Sequence, residues 1–111
     1  MAEQEMRQFW ASGNVRAVDV VEGDVALINL EWREVVDVWT YANDPGEELG
    51  EDSELTQTIR RITRRADGTL YTAVRYVHEE DSATAGEIVT KVWPFRSCQL
   101  VPVQVRTVPG A

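Results

Sequence analysis

The stretch LTQTIRRITRR, Leu55–Arg65, governs how the rest of the chain is read. It holds four of the eleven basic residues of a 111-residue chain whose formal net charge is -8. Its isoleucines and threonines favour a strand. Asp67-Gly68, just after it, is a strong hairpin signal leading to a second strand, LYTAVRYV at Leu70–Val77. In a strand, Ile59, Arg61, Thr63 and Arg65 share one face, and Arg60, Ile62 and Arg64 share the other. Each face then mixes one isoleucine with two arginines, which suits an edge strand better than a buried one.

The flanking chain extends this pattern. Val15–Val21 (VRAVDVV), Val25–Leu30 (VALINL) and Glu34–Tyr41 (EVVDVWTY) read as strands, with Gly23 supplying a positive backbone angle in the first turn. LEWRE, Leu30–Glu34, places Trp32 in a tight turn where burial is hard. Ala42–Glu54 reads as a long loop carrying Asp44, Glu47, Glu48, Glu51, Asp52 and Glu54 and no basic residue. A polar loop at His78–Gly86 leads to a strand at Glu87–Trp93 (EIVTKVW), which Pro94 interrupts, and QLVPVQVRTV closes the chain as a strand, with Pro102 marking it as an edge or as paired on one side only. One helix is expected, Ala2–Trp10, with Met6, Phe9 and Trp10 on one face and Ser12, Gly13 and Asn14 ending it. The fold class is mainly β: a small antiparallel barrel or sandwich of about six to seven strands with a short N-terminal helix. The single domain covers residues 1–111, with its β region at 15–107 and its acidic loop at 42–54.

Composition excludes several classes. The hydrophobic share of 43% and charged share of 27% belong to a globular protein. No run approaches the roughly 18 apolar residues of a membrane span. The opening MAEQEMRQFW lacks the basic-then-apolar order of a secretory signal, so the expected compartment is the cytoplasm. Cys98 is the sole cysteine and His78 the sole histidine, which rules out an intrachain disulfide and a four-ligand Cys/His zinc site. Lys91 is the only lysine among the basic residues. That arginine bias fits a GC-rich genome, with an actinobacterial or phage source expected. The acidic balance opposes broad nucleic-acid binding, because the long-range field repels phosphate.

Two fragments carry a resemblance. VRAVDVVEGDVALINLEWREVVDVW (Val15–Trp39) resembles the opening of Hint-type barrels. LYTAVRYV with VWPFRSCQLVPV (Val92–Val103) resembles the closing half of SH3-like or Tudor-like barrels. The Hint resemblance implies fold only, since neither Ala2 nor Val15 is a splicing nucleophile and RTVPGA lacks the terminal His-Asn pair. The Tudor-like resemblance implies an aromatic cage for a methylated ammonium group, drawn from Trp32, Trp39, Tyr41, Tyr71, Tyr76 and Trp93.

Catalytic chemistry finds little support in the residues. His78 sits beside Glu79, Glu80 and Asp81, but consecutive loop residues do not converge on one point, so a solvated acidic loop is the simpler reading. Asp19 and Asp37 each lie in a VDV triplet, and strand alternation points them outward. Cys98 lacks a nearby base and reads as a half-buried structural thiol. No catalytic residue, metal ligand or cofactor is assigned, and the chain is read as a non-enzyme. The expected function is an accessory module that binds a protein partner. Its candidate surface is Trp32, Arg60, Arg61, Arg64, Arg65, Tyr71 and Arg75, together with the acidic loop, which is also suited to a nucleic-acid-mimicking decoy. The alternative is single-strand nucleic-acid binding through Arg60–Arg65 and nearby aromatics. A third reading, with the arginines neutralised by the acidic loops, needs no partner.

Overall fold

Leu55–Thr63 is helical, and Arg64 and Arg65 form its exit, which reverses the strand assignment. Helix α2 spans Glu54–Thr63, after a one-turn helix α1 at Gly46–Leu49 inside the expected acidic loop. Ser53 caps α2 by accepting a hydrogen bond from the Thr56 amide at 3.1 Å. Helical spacing gathers Leu55, Ile59 and Ile62 on one face, where a strand would set Ile59 and Ile62 on opposite sides. The two buried threonines are satisfied locally: Thr56 Oγ1 donates to the Gly50 carbonyl at 2.7 Å and Thr63 Oγ1 to the Ile59 carbonyl at 3.0 Å. Packing thus outweighed the strand preference of threonine and isoleucine. Asp67-Gly68 still forms a turn, with Gly68 at φ 77°, but it joins a helix to a strand instead of closing a hairpin.

The computed structural model describes residues 9–81 and 87–107. Its strands are β1 (Phe9–Arg16), β2 (Val25–Ile28), β3 (Glu31–Trp39), β4 (Tyr71–Asp81), β5 (Glu87–Arg96) and β6 (Leu100–Thr107). They form one six-stranded sheet in the order β1-β6-β2-β3-β4-β5, antiparallel at each pairing. The mainly β class therefore holds, with six strands in an open sheet. Residues 2–8 of the expected N-terminal helix lie outside the described residues, while Phe9 and Trp10 belong to β1. Ser12, Gly13 and Asn14 continue that strand instead of stopping a helix. The expected strand Val15–Val21 breaks at Arg16 into a 3-10 turn, Ala17–Asp19. His78–Asp81, read as loop, extends β4.

The β2–β3 hairpin closes through Asn29 and Leu30, so Trp32 lies in β3 opposite Leu27 and not in the turn. Both turn residues have positive φ, 52° and 68°, as a two-residue type I′ loop requires. Asparagine tolerates this conformation, whereas leucine is strained by it and its side chain is 89% exposed. Leu30→Gly is accordingly expected to stabilise the protein by about 0.5–1 kcal/mol, relief of left-handed strain outweighing glycine's entropy cost. A higher urea midpoint at unchanged slope would be the measurement.

The sheet cannot be flat. Only Ser97, Cys98 and Gln99 connect edge strand β5 to β6, which lies between β1 and β2. That connection reaches at most about 14 Å, whereas four strand spacings across a flat sheet come to about 19 Å. The sheet therefore bends and supplies both sides of its main core. Ile28, Val35, Val74, Tyr76, Phe95, Val101 and Val103 pack there with Ala17 and Val20. On the opposite face, α2 covers a smaller core of Trp39, Ile59 and Ala73, flanked by Leu49, Leu55, Ile62 and Val92. A bulge between Val35 and Asp37 lets β3 serve both cores, with Val35 and Val38 on the main one and Trp39 on the other.

Candidate interaction surface

The four arginines of α2 and its exit have different surroundings. Arg60 is locked: its Nε and Nη2 donate to the two carboxylate oxygens of Asp44 at 2.8 and 2.6 Å, and Nη2 also reaches Glu51 at 2.8 Å. The Arg60 guanidinium, helped by the Gly46 amide, holds the Asp44 carboxyl down at about 2. Asp44 and Glu51 raise the Arg60 pKa in turn. A Cβ at Gly46 would press on the Glu51 carboxylate and come within 2.7 Å of both Arg60 Nη2 and Asp44 Oδ2, so a larger residue there would push these side chains out of their present arrangement. This knot fastens the acidic segment to α2. Pro45 and Gly46 are buried, so the segment is anchored rather than a free loop. Of the other acidic residues, Glu47 and Glu48 open α1, Glu54 opens α2, and Asp52 is exposed between the helices.

Arg61, Arg64 and Arg65 point to the exposed end of α2. The guanidinium of Arg64 lies 4.8 Å over the Tyr41 ring and that of Arg65 lies 4.6 Å over the Tyr71 ring. Arg64 also donates to the Tyr41 carbonyl at 3.4 Å and stands 3.7 Å from Asp44. Arg65 donates to Asp67 at 3.2 Å. Asp67 is lowered to about 2, first by the Thr69 amide and then by Arg65, whose own pKa it raises. Arg61 contacts Thr58 and has no carboxylate partner among the described residues. Arg96 stands opposite Tyr71 in the β4–β5 register and adds a further cation on the same side. Tyr41, Arg64, Arg65 and Leu70 border a cleft of about 510 Å³, with Tyr41 62% and Leu70 63% exposed.

The remaining sequence candidates lie elsewhere. Trp32 is 46% exposed but precedes Trp39 by seven residues of β3, about 23 Å of strand, at the far end from the arginines. Arg75 is occupied by Asp37 at 3.2 Å and Thr90 at 2.9 Å. Trp39 and Tyr76 are buried on opposite faces of the sheet, so the six aromatics do not gather into one cage. Cys98 is exposed in the β5–β6 turn instead of half-buried. Leu70 and Arg96 carry no local sequence signal, and Tyr41, a candidate only as a cage aromatic, is brought to Arg64 across 23 residues by the docking of α2. Among the described residues, no three His, Cys, Asp or Glu side chains are grouped to hold a metal ion, and no helix is long and apolar enough to cross a membrane. Comparison of the chain with protein-family models, with curated proteins and with solved structures returns no significant match.

Proposed function

We propose that the chain is a non-catalytic module that docks an acidic segment of a protein partner in the cleft bordered by Tyr41, Arg64, Arg65 and Leu70. The observation that carries this reading is the pair of guanidinium groups laid over Tyr41 and Tyr71 beside an exposed leucine. An arginine held against a ring presents its donor fork in a fixed orientation, so less freedom is lost when a carboxylate binds. Arg61 and Arg96 widen the cationic field, while Leu70 and Tyr41 offer apolar contact to a side chain between the acids. Single-strand nucleic acid is the weaker reading. One face of each tyrosine is already covered by arginine, which leaves less ring for bases to stack on, and the net charge of -8 repels phosphate. The curvature forced by the short β5–β6 connection supports a small SH3-like barrel as the scaffold, and an unpaired exposed Cys98 fits the cytoplasm.

The test is fluorescence anisotropy with a labelled peptide of alternating glutamate and leucine, run beside an oligothymidylate of equal length. The peptide is expected to bind, more weakly as salt rises, and Arg64→Ala with Arg65→Ala is expected to weaken it at least tenfold while the circular dichroism spectrum is unchanged. Peptide affinity untouched by the double substitution, or tighter binding of the oligonucleotide, would overturn the proposal.

A further inference from the structure

A second cavity opens at the other end of the molecule, on the concave face of the sheet. It measures about 320 Å³, and its lining includes Ile28, Arg33, Tyr76, His78, Lys91 and Trp93. We infer that it is a binding site for a small planar aromatic carboxylate, distinct from the arginine–tyrosine cleft.

Its floor and walls are aromatic and apolar. Tyr76 is buried and meets His78 edge-on, with ring centroids 6.5 Å apart at 75°. Trp93 packs against the main core beside Tyr76, and Ile28 is buried in the same core. Edge-to-face and stacked arrangements of this kind accept another flat ring. The volume lies near the lower end of ligand pockets, about 300 Å³, which suits one or two fused rings rather than a cofactor.

Its rim is cationic although the chain as a whole is strongly acidic. Arg33 Nη1 donates to the His78 carbonyl and Nη2 to Glu31, so the guanidinium is fixed at the mouth before any ligand arrives. Lys91 stands opposite Tyr76 in the β4–β5 register, two positions from Trp93, and alternation puts all three on the concave face. Lys91 has no carboxylate partner among the described residues. Among the described side chains, two cations face one carboxylate, Glu31, which leaves a positive charge at the rim of an aromatic hollow. A carboxylate on a flat ring satisfies both: the ring takes the hollow and the anion takes Lys91 and the outer edge of Arg33.

Lys91 and His78, the only lysine and the only histidine, make unambiguous reporters. The experiment is nuclear magnetic resonance of the full chain, with Lys91 carrying isotope-labelled methyl groups that preserve its charge, titrated with 1-naphthoate and, in parallel, with 1-naphthylmethylamine. Naphthoate is expected to shift the Lys91 methyl and His78 ring signals together and saturably, while the amine shifts neither. Lys91→Gln, followed through His78, should weaken naphthoate at least tenfold; Trp93→Leu, followed through Lys91, should do the same with the remaining spectrum folded. Absence of a saturable shift, equal response to the amine, or undiminished affinity in Lys91→Gln would overturn the inference.

Discussion

Trp39→Ala is expected to lower the stability of the protein by about 3–5 kcal/mol, read as a fall in the denaturant midpoint. Trp39 is only 2% exposed and is the largest side chain of the small core that holds α2 on the sheet. Removing it leaves Ile59, Leu55 and Ile62 facing a void, and α2 is too short, at ten residues, to persist without that contact. Because Arg64 and Arg65 follow directly from the C-terminus of α2, loss of acidic-peptide binding should accompany the loss of helical signal. A drop below about 1 kcal/mol would mean that α2 is held by its Arg60–Asp44 knot and not by packing.

Phe95→Ala is expected to cost a similar amount, about 3–5 kcal/mol, on the other side of the sheet. Phe95 is buried on edge strand β5, yet it packs in one cluster with Val101 and Val103 of β6. It therefore ties together the two parts of the sheet that the Ser97–Gln99 connection forces to approach. Trp39 and Phe95 lie on opposite faces with separate partners, so the double variant should show the sum of the two losses within about 0.5 kcal/mol. A markedly smaller sum, measured by denaturation, would indicate that the two cores relax into each other.

These two residues also mark what was legible in the sequence. Trp39 and its neighbours read as strand because Val35, Val36 and Val38 precede it and Thr40 and Tyr41 follow, and β3 covers most of that stretch. The β4 strand is likewise visible in LYTAVRYV, although its true end lies beyond the expected loop boundary. Helix α2 is disguised in the sequence because Thr56, Thr58, Ile59, Ile62 and Thr63 are strand-favouring residue types, and only the spacing of the isoleucines with Leu55 discloses a helical face. The arginines are placed differently as a result: in a strand they would alternate, whereas Arg60 within the helix turns towards Asp44 and Arg64 at its exit towards Tyr41. The basic residues of the candidate surface stand close together in the sequence, but their individual surroundings depend on contacts across 16 and 23 residues. Arg96 entered only through strand register, which no local pattern encodes.

The position of β6 has a consequence for how the chain comes off the ribosome. Strands β1 and β2 are consecutive in sequence but not neighbours; the final strand sits between them, pairing with β1 over its whole length and with β2 at Val25 and Ala26. During synthesis, the first half of the protein emerges with two unsatisfied strand edges that nothing yet made can fill. The meander from β2 to β5 can assemble as it appears, but β1 must wait until Leu100–Thr107 has been translated. Until then the nascent chain exposes a gap the width of one strand, open to the wrong partner as readily as to the right one. A ribosome-stalled chain ending before Leu100 should accordingly be far more dependent on chaperones than one that includes β6.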